Sequence, residues 1–220
     1  MTIRSVEVGV LGTNCYIVCQ NADCALRSDA DSTRAGECVI VDPGDDVKKL
    51  VFTMNEQKAV PTAILLTHGH FDHIGAVAGL REEYPGIRVY AGRDENPLLH
   101  DPEFNLTMRL RKPVRIDADR LLDDNECFNE AGIDFRTLAT PGHTMGSVCY
   151  YSEEEKVLFA GDTLFMGSMG RTDFPTGNEA QIFRSLKMLA VLPDETIVYP
   201  GHGPKTSIGE EKRNNPYMQM

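Results

Sequence analysis

No Cys-x-x-Cys pair occurs among the six cysteines of this 220-residue chain. That removes the zinc-finger class, because closed structural zinc sites are built from four cysteines or from mixed cysteine and histidine. No apolar run approaches the roughly 18 residues of a membrane span. The opening Met1-Thr2-Ile3-Arg4-Ser5 leads straight into a strand-like pattern without a signal-peptide core, so the expected setting is cytoplasmic, with no membrane partner. Basic residues are outnumbered, 22 against 33 acidic, for a formal net charge of −11. Nucleic acid is therefore not expected as a partner, since phosphate binding needs a concentrated basic surface. Repeats and low-complexity linkers are also absent. The length is ample to bury a core and is read as one domain over 1–220.

The histidines, by contrast, are concentrated. Five of six lie in three short glycine-bearing segments: Thr67-His68-Gly69-His70-Phe71-Asp72-His73, Pro141-Gly142-His143 and Pro200-Gly201-His202-Gly203. With Gly161-Asp162 they supply seven nitrogen or oxygen donors, enough for two metal ions. Imidazole and carboxylate are the ligands of zinc or iron sites that keep an exchangeable position. In an extended or turning backbone, His68 and His70 point the same way, and Asp72 and His73 can then reach a second ion beside the first. Glycine lets the backbone pass close to a metal at these loops. Each segment also follows an apolar, strand-like run: Ala63-Ile64-Leu65-Leu66, Phe135-Arg136-Thr137-Leu138, Val157-Leu158-Phe159-Ala160 and Thr196-Ile197-Val198-Tyr199. Ligands on loops leaving several strands make an open site on a rigid scaffold.

The remaining pattern reads as α/β. Strands are expected at 3–10, 14–20, 37–41, 62–66, 87–91, 119–122, 126–130, 133–139, 147–151, 156–160 and 196–199. Helices are expected at about 45–57, from His73 to Tyr84, and at about 178–191, with helix fragments and loop over 93–115. The cysteines Cys15, Cys19, Cys24, Cys38, Cys127 and Cys149 are expected to be reduced and mostly buried. If the strands flanking the polar insert Asn21 to Gly36 form a hairpin, Cys19 and Cys38 come close together.

The string Thr67 to Gly75, THGHFDHIG, resembles the His-x-His-x-Asp-His signature of the metallo-β-lactamase fold superfamily, and the later segments follow in that family's order. The likeness is strongest to the glyoxalase II (hydroxyacylglutathione hydrolase) branch, in particular its short bacterial relatives without the C-terminal helical domain. It is supported by Leu11-Gly12-Thr13-Asn14-Cys15-Tyr16, Val41-Asp42-Pro43-Gly44 and Gly161-Asp162-Thr163-Leu164-Phe165. Gly170-Arg171-Thr172-Asp173-Phe174-Pro175 also resembles the persulfide dioxygenases. The resemblance implies a four-layer αββα sandwich of two mixed sheets flanked by helices. It implies that His68, His70 and His143 bind one metal, that Asp72, His73 and His202 bind a second, and that Asp162 bridges them. Zinc is the expected ion, with iron or manganese as alternatives.

The activity so implied is thioester hydrolysis of a small-molecule substrate of the S-lactoylglutathione type by a metal-activated water, with Asp72 orienting that water. Arg171, Tyr16 and Phe165 are candidates for substrate contact, although Arg171 can equally pair with Asp173 and the two aromatics can pack. Full-length glyoxalase II carries an extra C-terminal domain that helps hold glutathione, whereas this chain stops about eighteen residues after His202. How the carrier is held is thereby left open, and a neighbouring subunit of a homo-oligomer is one means. Two other readings stand beside this one: a mononuclear iron persulfide dioxygenase and a non-catalytic metal-binding protein. A β-lactamase of the commonest type would carry arginine after Asp72 and cysteine at position 162, where this chain has His73 and Asp162.

Overall fold

The computed structural model describes residues 1–20, 36–109 and 113–219. The insert between Asn21 and Gly36, with Cys24, lies almost wholly outside them. Two six-stranded mixed sheets face each other. The first contains β1 (Thr2–Val8), β2 (Thr13–Cys19), β3 (Gly36–Val41), β4 (Ala59–Leu66), β5 (Arg88–Gly92) and β6 (Arg120–Leu122), in chain order. The second runs β14-β13-β10-β9-β8-β7, from β7 (Cys127–Glu130), β8 (Ile133–Ala139), β9 (Val148–Ser152), β10 (Val157–Gly161), β13 (Ile197–Pro200) and β14 (Thr206–Ser207). A separate hairpin pairs β11 (Leu164–Phe165) with β12 (Ser168–Met169).

The layering follows from the pleat. Successive side chains of a strand face opposite sides, so a strand covered on both faces reads as an unbroken apolar run. In β4, Ile64 and Leu66 pack toward the helices while Ala63 and Leu65 enter the intersheet core with Tyr90, Phe135, Tyr150 and Phe159. In β10, Val157 and Phe159 face that same core, and Leu158 and Ala160 face the opposite helical layer. The outer layers are α1 (Val47–Glu56) and α3 (Val77–Glu83) on the first sheet, and α5 (Glu179–Leu189) and α6 (Ile208–Asn214) on the second. In α5, Ile182, Ser185, Leu186 and Leu189 form the buried stripe, and the Asn178 side chain accepts from Gln181 N to cap the first turn. The expected αββα sandwich is thus the observed one. No described helix is long and apolar enough to cross a membrane.

The expected strands agree with the observed ones to within a few residues at their ends. The helix expected from His73 to Tyr84 is instead two pieces, α2 (Phe71–Ile74) and α3. The Pro43 carbonyl accepts the Ala76 N–H at 2.9 Å, so the 43–44 loop takes a donor that a continuous helix would have used. β11, β12 and α6 were not expected from periodicity. The hairpin of β2 and β3 does form, and it sets Cys19 opposite Cys38. Of the described cysteines, Cys15, Cys19, Cys38 and Cys149 are buried and Cys127 is exposed.

Phe159 is fully buried between the sheets, stacked on Tyr199 and tilted against Tyr16. Phe159→Ala is expected to lower unfolding stability by about 3–5 kcal/mol, whereas truncating the 94% exposed Val10 should change it by less than about 0.5 kcal/mol. Urea denaturation of the two variants checks the pair.

Candidate metal centre

Strands β8, β10 and β13 run in the same direction within the second sheet, so their C-terminal ends share one edge. From that edge emerge His143, Asp162 and His202, and from the end of β4 on the facing sheet emerge His68 and His70, with Asp72 and His73 on α2. Two cross-sheet hydrogen bonds lock the edges together: Val148 N–H donates to the Thr67 carbonyl at 2.8 Å, and the Tyr150 hydroxyl donates to the Leu66 carbonyl at 2.8 Å.

All seven expected ligands meet there. They form three overlapping groups: His68, His70 and His143; His68, His73 and Asp162; and Asp72, His73 and His202. Within each group, potential ligand atoms lie within 4.8 Å of one another. His70 Nδ1 and His143 Nε2 are 2.9 Å apart. Asp162 stands between the groups, its Oδ2 lying 3.6 Å from both His143 Nε2 and His202 Nε2 and its Oδ1 3.3 Å from His73 Nε2. Asp72 Oδ2 accepts from the Thr13 hydroxyl at 3.0 Å and lies 3.2 Å from His202 Nε2.

The donor set fits cations. His68 Nε2, His73 Nε2 and Asp162 Oδ1 are buried outside hydrogen-bond geometry with any partner, although buried polar atoms are almost always satisfied. Burial, then the neighbouring histidines, hold His68 far below its ordinary pKa, and burial with His143 pushes His70 down to about 3. Burial also lowers His143. These imidazoles are therefore neutral, the form that ligates. Burial pushes His73 down as well, but Asp162, Asp72 and Asp42 together outweigh it and raise its pKa. Burial would raise Asp72 and Asp162, yet the histidines, His73 foremost, hold both below the ordinary carboxylate range.

Outer contacts fix the ring orientations. His143 Nδ1 lies 2.8 Å from the Arg171 carbonyl. Asp42, which motif spacing does not single out as a ligand, accepts from Thr67 N–H at 2.8 Å and the Thr67 hydroxyl at 2.6 Å, and its Oδ2 lies 3.0 Å from His73 Nδ1. A carboxylate beside an imidazole favours its protonated form, and Asp42 acts on His73 in this way together with Asp162 and Asp72. An aspartate directly ahead of a Pro-Gly turn at a strand end, as Val41-Asp42-Pro43-Gly44 provides, was the signal that could have marked it.

The expected substrate contacts divide. The Phe165 ring is 6.2 Å from that of His202 and is half-buried beside the site. Tyr16 is buried in the intersheet core, and its hydroxyl donates to the Pro200 carbonyl at 2.6 Å. Its reach to the mouth is thus closed by packing, and it instead holds the strand that delivers His202. The Arg171 guanidinium pairs with Asp173 at 2.6 Å and lies 3.9 Å over the Phe174 ring. Phe174 in turn meets His70 edge-on at 5.7 Å, a neighbour of the site that the sequence reading did not single out.

Gly201 is required by close approach: a Cβ there would lie 2.2 Å from Asp162 Oδ1 and 2.7 Å from His73 Cε1. Gly201→Ala is expected to leave a folded chain whose metal affinity is at least about tenfold weaker, by analogy with disturbed ligand supports; chelator-competition titration checks this.

Comparison with known proteins agrees with this geometry. The model of the metallo-beta-lactamase superfamily matches residues 8–202. The probable metallo-hydrolase YqgX of Bacillus subtilis is 37% identical over 99% of this chain and 98% of its own length. The hydroxyacylglutathione hydrolase GloC of Haemophilus influenzae is 35% identical over 89% of this chain and 92% of its own. Among solved structures, the B3 metallo-beta-lactamase BLEG-1 superposes with a TM-score of 0.87 at 38% identity, covering 100% of both chains. TTHA1623 in a di-iron-bound form gives 0.81 at 38% identity, covering 97% of this chain and 99% of that one.

Proposed function

The chain belongs to the metallo-beta-lactamase superfamily, and on that footing we propose that it is a hydrolase using two divalent ions to cleave small thioesters of the hydroxyacyl-glutathione type. The observation that carries this reading is Asp162, whose Oδ2 is equidistant from a histidine of each ligand set. His68, His70 and His143 would hold one ion, Asp72, His73 and His202 the other, and Asp162 both. The likeness to GloC supports the thioester substrate, and the di-iron-bound relative supports a paired site and keeps iron beside zinc as the resident metal.

Bound divalent ions would supply Lewis acidity and bring the pKa of a coordinated water near neutrality. The chain's own groups do the rest. Thr13 donates to Asp72 Oδ2 and steadies the carboxylate, which would accept from the attacking water and aim its lone pair. The buried, neutral imidazoles keep a dry wall around the carbonyl, in which charge interactions are stronger than in water. A thiol pKa of about 8.5 makes thiolate a tolerable leaving group, so no acid is needed beside it. Phe165 and Phe174 flank the ligand sets and form an apolar wall for the acyl group.

The Gly170-Arg171-Thr172-Asp173 segment favours one second reading, a mononuclear iron dioxygenase of persulfides, because its Arg171 carbonyl supports His143 in the ligand set that such an enzyme would use. His70→Ala and Asp72→Ala are each expected to lower S-lactoylglutathione hydrolysis by at least about 100-fold while the circular dichroism spectrum keeps its folded shape. Turnover at the unmodified level in either variant would sink the two-ion mechanism. Nitrocefin, assayed in parallel, reads the β-lactam alternative raised by the likeness to BLEG-1.

A further inference from the structure

Glu95 is wholly buried, at the end of a 3-10 turn of residues Arg93–Glu95 that leads from β5 into α4 (Asn96–His100). Its Oε1 accepts the Gly69 N–H at 2.7 Å, and its Oε2 accepts the Thr144 hydroxyl at 2.8 Å and the Gly146 N–H at 3.0 Å. Gly69 is the residue between His68 and His70, and Thr144 directly follows His143. One carboxylate thus ties together the two loops that carry the three-histidine set. The fit is tight: a Cβ on Gly146 would lie 2.0 Å from the Glu95 amide nitrogen.

We propose that Glu95 is a positioning residue for the three-histidine set, its carboxylate fixing the distance between the loop bearing His68 and His70 and the loop bearing His143. The acceptor count explains the residue type. Three donors converge on two oxygens, and only a carboxylate offers two acceptor atoms and no donor. Glutamine would turn an N–H toward either Gly69 or the Thr144–Gly146 pair, setting donor against donor. Aspartate, one methylene shorter, would lose one of the two loops. Because His70 Nδ1 and His143 Nε2 lie 2.9 Å apart and metal–nitrogen bonds tolerate only about 0.2 Å of error, a loop shift of an ångström removes the site without unfolding the sandwich.

This inference rests on the metal-centre reading, and its test reads metal binding, so it stays separable from substrate. A wild-type chain that binds metal without cleaving thioesters would sink the hydrolase reading and leave this test intact. The variants are Glu95→Gln, Glu95→Asp and Thr144→Val, with Glu130→Gln as the control. Glu130 is likewise buried, and it accepts from Thr62, Arg88 and Tyr90, none of which adjoins a ligand. Zinc affinity by chelator competition, the d–d spectrum of the cobalt-loaded chain, and thermal melts are measured on each.

The expected result is a cooperative melt for all four. Zinc affinity should fall at least about tenfold in the Glu95 variants, with a changed cobalt spectrum and a smaller loss in Thr144→Val, while Glu130→Gln melts earlier but binds as the wild type does. Unchanged affinity and spectrum in folded Glu95→Gln would overturn the proposal. Should that variant fail to fold, unchanged affinity in Thr144→Val would overturn it equally.

Discussion

Crowding five imidazoles and two carboxylates into a space a few ångströms across, mostly out of water, is the constraint on which the rest of the structure depends. Left to themselves, such groups would be hydrated and far apart, since burying polar atoms without partners costs free energy. The fold opposes this with supports on every side. Asp42 and Thr67 stand behind the His73 and His68 positions, the Arg171 carbonyl behind His143, Thr13 behind Asp72, and the Tyr16 hydroxyl beneath the strand leading to His202. The electrostatics are divided accordingly. Burial dominates the three-histidine side and lowers its pKa values, whereas around His73 the carboxylates of Asp162, Asp72 and Asp42 raise the imidazole and are themselves lowered at Asp72 and Asp162.

The supports come from both sheets, and this makes the sandwich more than a carrier of loops. Val148 and Tyr150 on β9 reach across to the carbonyls at the end of β4. Glu95, on the connection leaving β5, does the same for the turn after β8. The intersheet core of Leu65, Tyr90, Phe135, Tyr150 and Phe159 therefore sets the spacing of the two edges on which the candidate ligands sit. Rigid packing of this kind is what holds a site near its working geometry.

The candidate ligands were legible in the sequence as a cluster because metal chemistry admits few residue types and the donors fall at short spacing, and the fold brings them together. The strands were legible as apolar runs, but which face of each run met the helices was not, because a strand buried on both sides shows no alternation. Tyr16 illustrates the consequence: in an all-buried strand, the pleat alone decides whether it meets substrate or core. The break between α2 and α3 depends on the Pro43 carbonyl, thirty-three positions away from Ala76 in the chain, and could not be read locally. The β11–β12 hairpin, with two residues in each strand, is too short for any periodicity. Asp42 is marked only by its place ahead of a Pro-Gly turn, and Glu95 is a single acidic residue whose local pattern does not separate a buried brace from a solvated side chain.

The most direct test of the account is metal content per chain by elemental analysis, on one preparation assayed with S-lactoylglutathione and with glutathione persulfide. If the two ligand sets each hold an ion, close to two metals per chain are expected together with thioester cleavage. One iron per chain, with oxygen uptake on the persulfide and no thioester cleavage, would contradict it.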